Sequence, residues 1–220
     1  MKRRFLGQLL ASLTLAAMGL ALTGGARAAD EAPDVMIKRL SEDVIGAIKA
    51  DKTLQTGDIS RVIALVDSKI MPNVNFQRMT ASAVGPAWRQ ATPEQKKQLQ
   101  DEFKTLLVRT YAGALAQVND QSISVKPLRA DAADTEVIVR TEVRGRGDPI
   151  QLDYRLEKTP GQGTGWKIFN LNVLGVWLME TYRSQFAQEI NAKGVDGLIA
   201  ALAARNKANA EGTTGVAGTK

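Results

Sequence analysis

Neither cysteine nor histidine occurs among the 220 residues, and aromatic side chains make up only 5% of them. The first two absences exclude Ser-His-Asp and Cys-His nucleophile systems and the usual zinc sites, which need an imidazole or a thiolate. No disulfide can form, so a folded domain must rest on its apolar core. A glycine-rich phosphate loop and a Gly-x-Ser-x-Gly elbow are also missing. Catalysis would be left to carboxylates, lysine and tyrosine.

What is present begins with an export signal. Lys2, Arg3 and Arg4 precede an uncharged run from Phe5 to Leu22, and Ala26-Arg27-Ala28 offers the small residues that signal peptidase requires. Residues 1–28 read as a secretory signal peptide, which predicts an extracytoplasmic protein. The formal charge of +6 includes four cations from that segment and no acid, so the mature chain carries about +2. Nucleic-acid binding needs a larger excess, clustered on one face, and loses its support. Residues 29–207 fit one domain. Residues 208–220 lack an apolar pattern and are expected to form a disordered tail.

Helical periodicity fills the first half. Ile37, Leu40, Val44 and Ile48 form one stripe over residues 34–50, and Ile59, Val62, Ile63, Val66 and Ile70 another over 58–71. Pro72 ends the second helix, and a short third is expected over 75–85. "TPEQ" marks the fourth, with Thr92 as N-cap, Pro93 at the first position and Gln95 completing a capping box. That helix is expected to reach Val118.

Beyond it the period falls from about 3.6 residues to 2. Val137, Val139, Thr141 and Val143 alternate with Ile138, Arg140, Glu142 and Arg144. Ile150, Leu152, Tyr154 and Leu156 alternate with Gln151, Asp153, Arg155 and Glu157. A weaker strand covers Ser122 to Leu128, and a fourth sets Phe169, Leu171 and Val173 against Asn170 and Asn172. Short turn-like links make an antiparallel meander with one wet face the simplest topology. Two closing helices, over 176–192 and 195–207, are divided by Gly194. The fold class is α+β: a curved four-stranded antiparallel sheet with helices on one face, of cystatin-like or nuclear-transport-factor-like plan, in which sheet and helices enclose an apolar cavity.

Pattern alone reads Val139, Leu152, Phe169 and Leu171 as core. One compositional feature favours a cavity: the inward residues are mainly Val, Leu and Ile, and only four Phe follow residue 28. Aliphatic walls suit a flexible apolar ligand. The acids Glu136, Glu142, Asp153 and Glu157 fall on the polar alternation, and the inner face offers only Thr141 and Tyr154 for chemistry.

"PNVNFQRMT" (72–80), "WRQATPEQ" (88–95), "LVRTYAGAL" (107–115), "YRSQF" (182–186) and "GVDGLI" (194–199) recur in an order and spacing that resembles the MlaC or toluene-tolerance family of periplasmic phospholipid-binding proteins. The resemblance runs from about residue 34 to 206. It implies a monomeric periplasmic carrier that shuttles glycerophospholipids, maintaining outer-membrane lipid asymmetry. Its implied partners are an inner-membrane MCE-domain and ATP-binding-cassette transporter complex and an outer-membrane lipoprotein and porin complex. It further implies acyl chains held between helices and sheet, with no cofactor, metal or catalytic residue. The pocket residues expected on this reading are Val66, Phe76, Phe103, Leu107, Tyr111, Val139, Val143, Leu152, Tyr154, Phe169, Leu171, Val173 and Val176. Arg89, Arg109 and Arg183 are phosphate candidates that read more readily as solvated surface arginines. Two alternatives stay open: a periplasmic chaperone or adaptor without a small ligand, which would lack an apolar void, and an isomerase-like enzyme, which would place an acid inside the cavity.

Overall fold

Pro33 opens the first helix and Asp34 in its first turn faces the helix dipole, so α1 (Pro33–Ala50) starts where the chain loses a backbone donor it would not have used. The computed structural model describes residues 31–118, 120–131, 133–145 and 147–216, without the side chains of Ala116 and residues 212–216. The expected signal peptide lies outside them. Asp51 and Asp58 cap the short α2 (Lys52–Gln55) and α3 (Ile59–Leu65), accepting from Thr53 N and from Ser60 and Arg61 N respectively. The helix expected to run to residue 71 leaves the α form at Val66, passing through a π turn (Val66–Ile70) and a 3-10 turn (Met71–Asn73). Pro72 has no N–H to give the Ser68 carbonyl, and the Ser68 hydroxyl donates back to Ala64 O at 2.6 Å. Next come α4 (Phe76–Val84) and α5 (Pro93–Ala116), the latter held by the full Thr92–Gln95 capping box.

The sheet has five strands, one more than the sequence pattern suggests: β1 (Ser122–Val125), β2 (Glu136–Arg144), β3 (Ile150–Lys158), β4 (Trp166–Val173) and β5 (Val176–Trp177), in spatial order β1-β2-β3-β4-β5. All neighbouring strands are antiparallel. β5 occupies residues expected to start a helix; it is too short to show a period, and a two-residue turn at Leu174-Gly175 folds it back on β4. Register sets Val139 opposite Tyr154 and Tyr154 opposite Leu171, so these share the inner face. A bulge shifts β4 between Arg155 and Leu156, allowing Trp166, Ile168 and Phe169 all to be buried within one strand.

α6 (Leu178–Val216) is two helices joined at Gly194, whose φ of 70° and ψ of −170° break the spiral where a break was expected. Its second arm is helical over residues 208–216, part of the 208–220 stretch expected as a disordered tail, of which residues 217–220 lie outside the described residues; Lys207 and Glu211 form an i,i+4 pair there. The outer face of the sheet also departs from expectation. Asp153, Asn170 and Asn172 stand on it yet are buried, because β5 and the start of α6 close over the β3–β4 end. Asn170 donates to Glu180 at 2.8 Å and accepts from Met179 N, while Arg155 stacks 3.9 Å over the Trp177 ring.

Three apolar clusters hold the domain together. α4, α5, α6 and β4 share the largest, which gathers Phe76, Phe103, Phe169 and Phe186, all four Phe that follow residue 28. α1 packs Met36, Ile37 and Leu40 on Val137, Val139, Leu156 and Ile168. The third joins the end of α1 to α2, α3 and the far side of α5, through Ile48, Leu54, Val62, Val108 and Ala112. Among the described residues no helix is long and apolar enough to cross a membrane.

Candidate functional site

On α6, Leu178, Thr181, Tyr182 and Gln185 recur at helical spacing and so face one way. They face a cavity of ≈ 290 Å³ that is half open to solvent, not the enclosed one expected from the sequence. Val173 and Val176, opposite each other across the β4–β5 turn, form its sheet wall. Tyr111 closes it from α5, and Arg205 reaches it from the second arm of α6, which the Gly194 break folds back. Its size falls at the low end of the range for ligand pockets, about 300–1,000 Å³.

The floor is rigid. Tyr182 packs edge-on against Phe103, with ring centroids 4.9 Å apart, and Phe103 meets Phe186 likewise at 5.2 Å. Burial pushes the Tyr111 hydroxyl above the usual phenol range. The Tyr182 hydroxyl is also pushed up, first by burial and then by Tyr111, against the opposing charge of Arg205 and a hydrogen bond with Thr110. The site is thus an apolar cleft whose polar groups are two neutral phenols, an amide, a hydroxyl and one cation.

The structure brings Tyr111, Val173 and Val176 together at this cavity and distributes the other expected pocket residues around it. Phe76, Phe103 and Phe169 are buried in the largest cluster, with Leu107 and Leu171 packed against it. Val139 and Tyr154 lie beneath α1, where burial raises the Tyr154 hydroxyl and hydrogen bonds with Ser41 and Thr141 oppose the rise. Val66 belongs to the third cluster. Val143 and Leu152 are half-buried on the inner face of the sheet. None of the three arginine candidates lines the cavity: Arg89 is exposed, Arg183 lies against Gly85, and Arg109 is half-buried on α5 with an unpartnered Nε. Arg205, Leu178, Thr181, Tyr182 and Gln185 complete the lining. Arg205 had a sequence signal, since it falls on the stripe of Leu198 and Leu202, where an apolar residue is expected.

Asp153 is the buried acid among the described residues, and it stands on the face of the sheet away from Val139 and Leu152, accepting from Gln151 at 2.8 Å. No group of three or more acids among the described residues is placed to hold a metal ion.

A family model described as MlaC protein matches residues 38–204. The toluene tolerance protein ttg2D of Pseudomonas putida is 27% identical over 169 residues, which cover 76% of this chain and 77% of that one. The intermembrane phospholipid transport system binding protein MlaC of Haemophilus influenzae is 22% identical over 173 residues, 78% of this chain and 80% of the other. Among solved structures, the phospholipid-binding protein from Ralstonia solanacearum in complex with a phospholipid superposes with a TM-score of 0.77 at 48% identity, covering 80% of this chain and 98% of that one.

Proposed function

Because the chain belongs to the MlaC protein family, we propose that it binds a phospholipid in the cavity between β4, β5, α5 and α6 and carries it through the periplasm. The observation that carries this reading is the phospholipid held by the Ralstonia solanacearum protein, whose fold this chain resembles over most of its length. The physical demand on a carrier is to hide acyl chains, since each methylene kept from water is worth about 0.8 kcal/mol. Val173, Val176 and Leu178 supply such a wall. The cavity is small for two chains, so the proposal includes its widening on loading, with the chains enclosed between helices and sheet on a cystatin-like or nuclear-transport-factor-like plan.

The carrier would act as a monomer after removal of residues 1–28. It would exchange lipid with an inner-membrane MCE-domain and ATP-binding-cassette complex and an outer-membrane lipoprotein and porin complex, and so maintain outer-membrane asymmetry. Uptake from vesicles tests it. Delipidated protein incubated with vesicles bearing a labelled phospholipid, then separated from them by size, is expected to retain label in proportion to protein. Label that stays wholly with the vesicles over a range of protein concentrations would reject the reading.

A further inference from the structure

Arg205 is an unusual residue for the position it holds. The stripe of Leu198 and Leu202, 1% and 4% exposed, turns the second arm of α6 inward, and Arg205 continues it to the solvent-exposed rim of the cavity. The next residue, Asn206, fixes the rotation of that arm by donating to Glu102 O at 2.9 Å and to Glu102 Oε2 at 2.7 Å. Arg205 is thereby held at the cavity.

Charge compensation separates it from several arginines elsewhere. Arg39 pairs with Glu31, Arg78 with Glu136 and Glu157, Arg144 with Glu142, and Arg155 with Glu180. No carboxylate among the described residues forms an ion pair with Arg205. Arg205 and Tyr182 line the same cavity, and the Arg205 charge opposes the rise that burial gives the Tyr182 hydroxyl. Apolar walls and a single uncompensated cation with phenol donors beside it are the two halves of a site for an amphiphile with an anionic head.

We infer that Arg205, flanked by the hydroxyls of Tyr111 and Tyr182, binds the phosphate of the ligand at the mouth of the cavity. The guanidinium presents paired N–H donors that match two phosphate oxygens, which lysine does not reproduce. The phenols remain protonated at neutral pH and so donate to an oxyanion. The inference rests on the carrier reading and deepens it: the protein then selects lipids by the anionic phosphate rather than by apolar bulk alone.

The test uses the full mature chain, delipidated, with Arg205→Gln and Arg205→Lys beside the wild type. Each is titrated by calorimetry with a single-chain lysophospholipid, with a monoacylglycerol of the same chain, and with inorganic phosphate alone. The wild type is expected to prefer the lysophospholipid over the monoacylglycerol by about ten-fold or more. Arg205→Gln is expected to lose that preference while still binding both, and Arg205→Lys to keep part of it. A full wild-type preference in Arg205→Gln would overturn the inference and leave the carrier reading standing. Equal wild-type affinity for both amphiphiles would do the same. Inorganic phosphate binding as tightly as the lysophospholipid would show a free-anion site and overturn the amphiphile assignment. Failure of the wild type to bind either amphiphile would remove the carrier reading itself.

Discussion

Val139 and Val173 stand on the same inner face of the sheet but in different surroundings, and the difference decides what a larger side chain would do. Val139 is 1% exposed, packed between α1 and the strands. Val139→Phe adds a ring where close packing leaves no room and is expected to cost about 1–3 kcal/mol in denaturant melts. Val173 is half-buried at the cavity wall. Val173→Phe is expected to melt near wild type and to reduce retained lipid, because its ring occupies the space of the ligand. The opposite pattern, a stable Val139→Phe that binds less lipid, would move the pocket beneath α1. Alternation reports which face a residue occupies, so the inner-face assignment of both valines was legible. It does not report whether that face meets a neighbour or a void, because that depends on helices distant in sequence.

Element boundaries were most legible where a single residue has a physical reason to stop or start a spiral. The Thr92–Gln95 box, Pro72 and Gly194 are of this kind. Gly194 occupies a backbone region open essentially only to glycine, so Gly194→Ala is expected to cost about 1–3 kcal/mol in denaturant melts. No atom lies within 4 Å of the missing Cβ, so the cost comes from the backbone alone. A melt within error of wild type would mean that the two arms of α6 do not depend on this conformation. β5 escaped because two residues cannot display a period, and because its turn carries Leu174 at a φ of 51° where glycine, asparagine or aspartate would announce it. Asn172 supports that turn by accepting from Gly175 N at 2.8 Å. The bulge in β4 left a readable trace: the apolar alternation follows Trp166 and Ile168 and then changes phase to Phe169, Leu171 and Val173.

At the scale of the whole molecule, the absence of histidine and cysteine leaves no side chain whose ordinary pKa lies between the carboxylates and tyrosine. The shifted groups lie at the two ends. The Arg39 hydrogen bond holds Glu31 below the usual range. At Glu180 burial acts upward, but hydrogen bonds from Asn170 and Arg155 bring the carboxyl below its usual value. A lowered folded pKa contributes stability that is present above about pH 4.3 and is lost as pH falls through the folded value. Tyr111, Tyr154 and Tyr182 are all raised, so their contribution is present below about pH 10 and is lost as pH climbs through the folded values. The denaturant midpoint is therefore expected to be nearly flat from about pH 6 to 9; a step near neutrality would contradict this.

The central claim, that the interior of this domain holds a phospholipid, is tested most directly by the chain itself. Protein purified from the cells that make it without detergent, extracted with organic solvent and analysed by mass spectrometry, is expected to yield phospholipid in near-stoichiometric amount. Protein that is folded by circular dichroism and yields no phospholipid would contradict it.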